Sequence, residues 1–215
     1  HYQPQVDVET GRVVGAEALV RWKDPVRGLI PPGVFIPVAE ERGLIVPLGE
    51  WVLRAAATQL RLWLDEGLPP IVVAVNVSAA QFRSPDFEGR LVGTLEETGV
   101  PPELMELELT ESILARDVEA AAALLGRLRS RGLSISIDDF GTGYSSLGYL
   151  RKFPLQRLKI DQGFVREIWN DPSAAAIVRT VIGMSRGLGL KVVAEGVEEK
   201  RQYSFLRFHG CDEAQ

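Results

Sequence analysis

Ile71-Val72-Val73-Ala74-Val75 is apolar at every position, and the polar residue Asn76 follows it directly. A strand that is apolar throughout is expected to be covered on both faces, as strands of a parallel sheet are. The turn residues Gly67-Leu68-Pro69-Pro70 come just before this run, and before them apolar residues recur at helical spacing from Leu48 to Trp63. A helix followed by a short turn and a buried strand is the repeating unit of an α/β protein.

The alternation of strand and helix continues along the whole chain of 215 residues. Helical patterns also run from Leu114 to Leu128 and from Ala174 to Leu188. About eight strands alternating with helices in a chain of this size favour a closed TIM (β/α)8 barrel over an open doubly wound sheet. The predicted strands cover residues 1–7, 12–21, 71–77, 104–109, 133–138, 157–161 and 190–195, and a last strand begins near Cys211.

The two ends of this predicted barrel depart from the regular pattern. Only Glu9-Thr10-Gly11 separates the first two strands, which is too short for a parallel crossover. Those strands are expected to form a hairpin, so that one barrel strand runs antiparallel. The last strand is cut off at Gln215, so we expect a truncated C-terminal strand and helix and a barrel that is left open. Residues 1–215 are predicted to be a single domain, interpreted as a piece excised from a longer protein because the chain opens at His1 without Met.

The composition argues against several classes of protein. The net charge of −5 gives no electrostatic footprint for non-specific nucleic-acid binding. The single cysteine, Cys211, rules out an internal disulfide and is expected to be a buried, inert thiol. No apolar run approaches the roughly 18–20 residues of a membrane span. These features predict a cytoplasmic domain, and any membrane anchor of the full-length protein would lie outside this chain.

Two charged residues interrupt an apolar run near the start of the chain. The run is Val14-Gly15-Ala16-Glu17-Ala18-Leu19-Val20-Arg21-Trp22, which is typical of a buried strand apart from Glu17 and Arg21. Burying an unpaired charge is costly. The two residues therefore indicate a site, unless they pair with each other or straddle the end of the strand. Taken alone, they leave both interpretations open.

Polar residues also stand at the predicted carboxyl ends of the other strands, where the chemistry of TIM barrels takes place. For each of these polar residues taken alone, a purely structural role is a sufficient explanation. Asn76 would suit the start of the next helix, and Asp139 would suit the glycine-rich turn that follows it. As a set they indicate a functional site, formed by Glu17, Arg21, Asn76, Glu108, Asp138, Asp139, Lys159, Glu195 and Gln215.

The carboxylates of this set would repel one another, which raises their pKa values unless cations are present. Arg21 and Lys159 are too few to balance them, whereas divalent metal ions would. The candidate ligands are all oxygen atoms, because neither histidine of the chain falls at a strand end, and such ligands select Mg²⁺, Mn²⁺ or Ca²⁺. The adjacent Asp138 and Asp139 suit two ions, about 3.5–4 Å apart, that share a carboxylate, clamp a phosphodiester and activate a water molecule.

The same residues lie in an ordered series of motifs that resembles the EAL-domain cyclic di-GMP phosphodiesterase family. Each tripeptide alone is weak evidence, but the ordered set is specific and covers nearly the whole chain. The motifs are Tyr2-Gln3-Pro4, Glu17-Ala18-Leu19-Val20-Arg21, Asn76-Val77-Ser78, Glu108-Leu109-Thr110-Glu111, Asp138-Asp139-Phe140-Gly141-Thr142-Gly143-Tyr144-Ser145-Ser146, Lys159-Ile160-Asp161, Ala194-Glu195-Gly196-Val197-Glu198 and Gly210-Cys211-Asp212-Glu213-Ala214-Gln215.

The resemblance implies a bacterial signalling enzyme that hydrolyses cyclic di-GMP to linear pGpG with Mg²⁺ or Mn²⁺. The larger Ca²⁺ ion, which prefers looser geometry, is expected to inhibit. By position in the motifs, the ligands of one ion match Glu17, Asn76, Glu108 and Asp138. The pair that serves the second ion matches Asp138 and Asp139. Glu195 matches a residue that binds metal directly or through water.

The resemblance also implies roles for residues that do not bind metal. Lys159 matches the group near the attacking water, as a base or as an orienter. Arg21 matches a phosphate contact, Gln215 a polar contact to water or substrate, and Glu111 an acid that steadies the loop from Phe140 to Ser146. Substrate contacts are further expected for Gln3, Leu19 and Asp161, although Asp161 alternatively pairs with Lys159.

Two other classes of function are kept as alternatives. One is a catalytically silent module that senses cyclic di-GMP, and the other is a protein-interaction domain with a relict pocket. Degenerate relatives of either kind would be expected to lack some metal ligands, and this chain retains them all. The family further leads us to expect a homodimer and a fused sensory or diguanylate-cyclase domain outside this chain.

Overall fold

The computed structural model describes residues 1–141 and 150–215 as an α/β barrel. The strands are β1 (Tyr2–Asp7), β2 (Val13–Ala18), β3 (Trp22–Asp24), β4 (Gly28–Ile30), β5 (Val72–Asn76), β6 (Met105–Thr110), β7 (Ser134–Phe140), β8 (Arg157–Ile160), β9 (Lys191–Ala194) and β10 (Glu213–Ala214). The helices are α1 (Pro32–Glu41), α2 (Ile45–Asp65), α3 (Ala79–Phe82), α4 (Phe87–Thr98), α5 (Glu111–Ala115), α6 (Val118–Ser130), α7 (Gln162–Arg166), α8 (Pro172–Leu188) and α9 (Lys200–His209), with a 3₁₀ turn at Pro102–Leu104.

Eight strands form the barrel in the order β1, β10, β9, β8, β7, β6, β5, β2. All eight strands predicted from the sequence are confirmed. The predicted hairpin is confirmed as well, because β1 runs antiparallel to both of its neighbours, β2 and β10. The other neighbouring pairs around the ring are parallel, so their carboxyl ends lie at one end of the barrel.

The expectation of an open barrel is wrong, because the ring closes. The last strand, β10, contains only Glu213 and Ala214, yet it pairs with Val193 and Ala194 of β9 on one side and with β1 on the other. The backbone N–H of Gln215 then donates to the carbonyl of Ala194 at 2.9 Å. A strand of two residues is enough to close the ring, because it pairs with a neighbouring strand on each side.

Three details of the sequence prediction are corrected. The second strand ends at Ala18, so Arg21 lies beyond it, just before the hairpin of β3 and β4, which the sequence analysis did not predict. The helical pattern from Leu114 to Leu128 belongs to two helices, α5 and α6. The break falls where Asp117 caps α6, since its carboxylate accepts a hydrogen bond from the N–H of Ala120 at 3.0 Å.

Among the helices that the structure describes, none is both long and apolar enough to cross a membrane.

The barrel strands alternate between an apolar outer face and a polar interior. On β6, Leu107 and Leu109 join the apolar core, whereas Glu106 and Glu108 are buried acids that take part in ion pairs. This follows from the two-residue period of a strand, in which successive side chains point to opposite faces. The interior therefore contains two ionic clusters, one centred on Arg157 and one centred on Lys159 two residues later on β8.

Candidate active site

Lys159 lies at the centre of the cluster at the carboxyl ends of the strands. Its side chain is 1% exposed, which makes it one of the most deeply buried large side chains described. The ammonium Nζ lies 2.6 Å from Glu195 Oε1, 2.9 Å from Glu108 Oε2, 3.2 Å from Glu17 Oε2 and 3.3 Å from Asp138 Oδ1. Four carboxylates thus share one cation, and the cluster carries excess negative charge.

Glu17 is the best-held carboxylate of the site. Asn76 Nδ2 donates to its Oε1 at 2.6 Å, and Gln215 Nε2 donates to its Oε2 at 2.5 Å. Burial alone would raise the pKa of Glu17, but the ammonium of Lys159 and these two amides outweigh burial and hold the pKa below its ordinary value. Glu17 is therefore ionised and fixed in direction, as a metal ligand needs to be.

The carboxylate of Glu108 has fewer described hydrogen-bond partners than that of Glu17. It is 1% exposed, and its Oε1 has no hydrogen-bond partner among the described residues. Burial, and then the neighbouring carboxylates of Glu17 and Asp138, raise its pKa well above the ordinary value in spite of Lys159. A buried acceptor without a donor is costly. A bound cation would remove that cost, so the residues of the site fit the divalent metal that the oxygen ligands imply.

Asp138, Asp139 and Glu195 form the second part of the candidate metal centre. One carboxylate oxygen from each lies within 4.8 Å of the other two. Asp139 has a φ of 54°, which is the left-handed region that residues other than glycine seldom adopt. Burial, together with the nearby Asp138, raises the pKa of Asp139. A strained backbone that holds an acid beside other acids is typical of a functional site.

The metal-free protein is expected to lose stability as the pH rises from about 4.5 to about 7. Burial raises the pKa of Glu195 from 4.5 to about 7, so the folded protein holds a proton in this window that the unfolded chain has released. Glu108 adds to the effect, because its pKa is raised too. Glu17, with a lowered pKa, changes only below this window. Thermal unfolding in a chelator at a series of pH values measures the slope.

Glu195→Gln is the matched variant for this measurement, because it removes the titrating group and keeps the shape of the side chain. Its stability should vary less over the same pH window. In the unmodified protein, saturating Mn²⁺ should reverse the trend, because metal ions bind the deprotonated ligands. A metal-free stability that increases between pH 4.5 and 7 would contradict the assignment.

Glu111 contacts Gly141, the first residue after β7. Its Oε1 accepts a hydrogen bond from the N–H of Gly141 at 3.2 Å. The motif continues through Thr142 to Ser146, and those residues lie outside the described part of the chain. The contact that the structure describes is thus at the first residue of the loop.

Arg21 and Asp161 do not make the pairs that the sequence left open. Arg21 donates to the carbonyl of Val20 at 2.9 Å, whereas Glu17 binds Lys159 and two amides. Asp161 caps α7, because its Oδ1 accepts from the N–H of Gly163 at 2.9 Å. Cys211 is buried as expected, and burial raises the pKa of its thiol to about 12, so it stays protonated and inert.

An open pocket of about 370 Å³ adjoins the cluster and brings several predicted residues together. Its wall includes the predicted site residues Gln3, Glu17, Leu19, Asp138, Glu195 and Gln215. Arg21 borders a separate, mostly apolar pocket of about 290 Å³ together with Leu19 and Asn76. The first pocket also contains Gln162, Arg166 and Glu198, which sequence reasoning did not select as site residues. The spacing of Gln162 and Arg166, one helical turn apart just after the Lys159 motif, could have indicated them.

The cluster around Arg157 was also missed. The guanidinium pairs with the buried acids Glu106 and Glu213, and Lys191 Nζ lies 3.1 Å from Glu213 Oε1. The signal was present in the sequence, because Glu106 and Arg157 each stand two residues before a predicted site residue, Glu108 and Lys159, and therefore on the same face of the strand.

Comparisons with known proteins give one family. The family model described as "EAL domain" matches residues 1–215. The chain is 48% identical to the bifunctional diguanylate cyclase/cyclic di-GMP phosphodiesterase MucR of Pseudomonas aeruginosa, covering all of this chain and 31% of MucR. It is 43% identical to the cyclic di-GMP phosphodiesterase PdeR of Escherichia coli, covering all of this chain and 32% of PdeR. The chain thus spans about a third of the length of these relatives.

A solved structure is similar over the whole chain. The structure described as the PaMucR phosphodiesterase in complex with c-di-GMP has a TM-score of 0.97 and 48% sequence identity, and the match covers 100% of this chain and 87% of that one. The barrel, with its antiparallel first strand, therefore has an experimental counterpart.

Proposed function

We propose, because this chain belongs to the EAL domain family, that it is a metal-dependent phosphodiesterase that hydrolyses cyclic di-GMP to linear pGpG. The observation that carries the proposal is the cluster in which Lys159 faces four carboxylates while one oxygen of Glu108 has no partner among the described residues. Such a cluster needs divalent cations, and an anionic phosphodiester needs them as well. The names of MucR and PdeR and the c-di-GMP complex of MucR support the choice of substrate.

Two ions, Mg²⁺ or Mn²⁺, would polarise the phosphate and activate a water molecule. We propose that Glu17, Asn76, Glu108 and Asp138 hold the first ion and that Asp138 and Asp139 hold the second. Glu195 completes the set directly or through water. The contacts of Asn76 and Gln215 with Glu17 leave that carboxylate little freedom to turn, so the ligand set is partly organised in advance.

Lys159 is proposed to orient the attacking water rather than to deprotonate it. Burial alone would lower the pKa of Lys159, but the surrounding carboxylates outweigh burial and hold it well above its ordinary value. In the metal-free protein the side chain is therefore an ammonium, which donates hydrogen bonds and has no lone pair to accept a proton. This favours the orienting role over the role of base.

The remaining site residues are proposed to bind substrate or to order the loop. Gln3, Leu19 and Gln215 line the pocket beside the cluster, where a cyclic dinucleotide would lie. Arg21 is proposed to contact a phosphate, and Asp161 the substrate. Glu111 is proposed to hold the start of the loop after β7 through the N–H of Gly141.

Product analysis distinguishes an enzyme from a module that only binds the nucleotide. The protein would be incubated with cyclic di-GMP and Mg²⁺ and the nucleotides separated by chromatography. Appearance of pGpG supports the enzyme. Binding of cyclic di-GMP without turnover in any metal would overturn the proposal in favour of the sensor alternative.

Mg²⁺ or Mn²⁺ should support hydrolysis, and Ca²⁺ should compete for the site and inhibit. All three ions accept oxygen ligands, but Mg²⁺ requires octahedral geometry at about 2.0–2.1 Å, whereas Ca²⁺ takes more ligands at about 2.3–2.6 Å. The larger ion would spread the pair and misalign the water. Hydrolysis at fixed Mg²⁺ should fall as Ca²⁺ is added, while cyclic di-GMP still binds in Ca²⁺ alone. Equal rates in Ca²⁺ and Mg²⁺ would show that ion size does not matter here.

The setting of the domain is proposed from its relatives. MucR combines two activities in a chain about three times the length of this one, so a fused sensory or diguanylate-cyclase domain is proposed here too. A cytoplasmic location is proposed, since the one cysteine is a buried thiol. A homodimer is proposed from the family alone.

A further inference from the structure

Gln5 is a buried amide in the barrel interior that has no role in the function proposed above. It lies on β1 and is 1% exposed. Its Nε2 donates a hydrogen bond to Gln215 Oε1 at 2.8 Å, whereas its own Oε1 has no partner among the described residues. An apolar side chain would avoid the cost of that buried oxygen. The presence of a glutamine here is therefore explained by the hydrogen bond that its Nε2 donates.

The hydrogen bond from Gln5 decides which end of the Gln215 amide faces the site. A glutamine side chain has one end that donates and one that accepts. Since Gln5 occupies the accepting Oε1, the donating Nε2 of Gln215 faces Glu17 Oε2, at 2.5 Å. If the amide turned over, two oxygens would face each other at that distance. The backbone of Gln215 is already fixed by bonds to Ala194 and Val197, so the side chain is the part left to be oriented.

The neighbouring strand leaves space for this arrangement. Gly15 is the partner of Gln5 in the pairing of β1 with β2, and Gln3 pairs with Glu17 in the same ladder. A Cβ atom added at Gly15 would lie 2.6 Å from Gln5 Oε1. Gln5 therefore fills a space that only a glycine leaves open.

We infer that Gln5 is a positioning residue, which orients the Gln215 amide so that it donates to Glu17 and so fixes the direction of that carboxylate. The inference rests on the proposed function, because the effect on catalysis passes through Glu17 as a metal ligand. Gln5 is not among the residues that line the pocket, and the hydrogen bond described for its side chain goes to Gln215. Its effect on the reaction is transmitted only through Gln215.

Gln5→Met is the variant that tests the inference, because it keeps the length of the side chain and removes the donor. We expect kcat to fall about tenfold, as one hydrogen bond to a charged network permits. KM should stay within about twofold, and the affinity for Mn²⁺, measured by calorimetric titration without substrate, should weaken several-fold. The melting temperature of the metal-free protein should change little. Unchanged kcat and unchanged Mn²⁺ affinity in a folded Gln5→Met protein would overturn the inference.

A double-mutant cycle separates positioning from packing. If Gln5 acts only through Gln215, then Gln5→Met should cause no further loss of turnover in a Gln215→Met background. Additive losses would mean that Gln5 acts by filling space, and would overturn the inference. Ser136→Ala is the matched control, because Ser136 is also buried on a barrel strand and its hydroxyl donates to the carbonyl of Leu107. Its turnover should match that of the unmodified protein.

Two further measurements keep the inference testable. If Gln5→Met does not fold, Gln5→Leu removes the donor with a smaller side chain and should give the same results. In the unmodified protein, the side-chain amide protons of Gln5 should exchange slowly with solvent by NMR, and fast exchange would overturn the inference. Failure of the unmodified protein to hydrolyse cyclic di-GMP would instead overturn the proposed function, and the Mn²⁺ titration would still decide the role of Gln5.

Discussion

Glu108→Gln is expected to abolish hydrolysis of cyclic di-GMP while it stabilises the metal-free protein. The carboxylate is fully buried, its Oε1 has no described partner, and burial raises its pKa well above the ordinary value. A neutral amide of the same shape removes one of the four acids around Lys159 and so reduces their repulsion. It also removes a proposed metal ligand, which should lower kcat by at least about a hundredfold. Chromatography of the products and thermal unfolding in a chelator measure the two effects.

Glu106→Gln provides a control of the same residue type on the same strand. Glu106 lies two residues before Glu108 and pairs with Arg157 in the other ionic cluster. Its replacement should retain hydrolysis but reduce stability, by up to the ~3–5 kcal/mol that breaking a buried ion pair costs. Arg157 keeps Glu213, so the loss should fall at the lower end. Undiminished hydrolysis by Glu108→Gln, or the same loss of turnover in both variants, would contradict the assignment of Glu108 as a ligand.

Lys159→Met is expected to have the second large effect, in which stability and catalysis respond differently to metal. Without the ammonium, the carboxylates of Glu17, Glu108 and their neighbours face one another unbalanced. Removing one partner of a buried ion pair costs about 3–5 kcal/mol, which corresponds to a fall of roughly 10 °C in the melting temperature for a chain of this size. Mn²⁺ should restore that stability, because metal ions replace the lost positive charge.

Restored stability should not restore turnover. Lys159 is proposed to act on the water in the transition state, so kcat should remain low while KM changes little. Arg157→Met is the matched control, because it removes the other buried cation of the interior. It should also be less stable, but the gain from Mn²⁺ should be no greater than in the unmodified protein. If KM rises and kcat holds in Lys159→Met, then Lys159 binds substrate and does not orient the water.

The type and order of the barrel strands could be predicted because the evidence for them is local. The apolar run that ends at Val75 indicates a strand covered on both faces, and the three residues Glu9-Thr10-Gly11 are too few for a parallel crossover. The same local evidence placed Glu108 at the end of its strand and Glu17 within the second strand, and the carboxyl ends of parallel strands meet at one end of a barrel. The short strands β3 and β4 were missed, since three residues show little periodicity.

The sequence by itself determined which chemical groups reach the carboxyl end of the barrel, because strand order and the two-residue period follow from local patterns. Only the tertiary structure decided how those groups pair. Lys159 and Glu17 are 142 residues apart, and Gln5 and Gln215 are 210 apart. Their contacts depend on the closing of the ring by β10, a strand of two residues. Closure is a long-range event that depends on the geometry of all eight strands together, so the pattern that favours a barrel does not decide whether this ring closes.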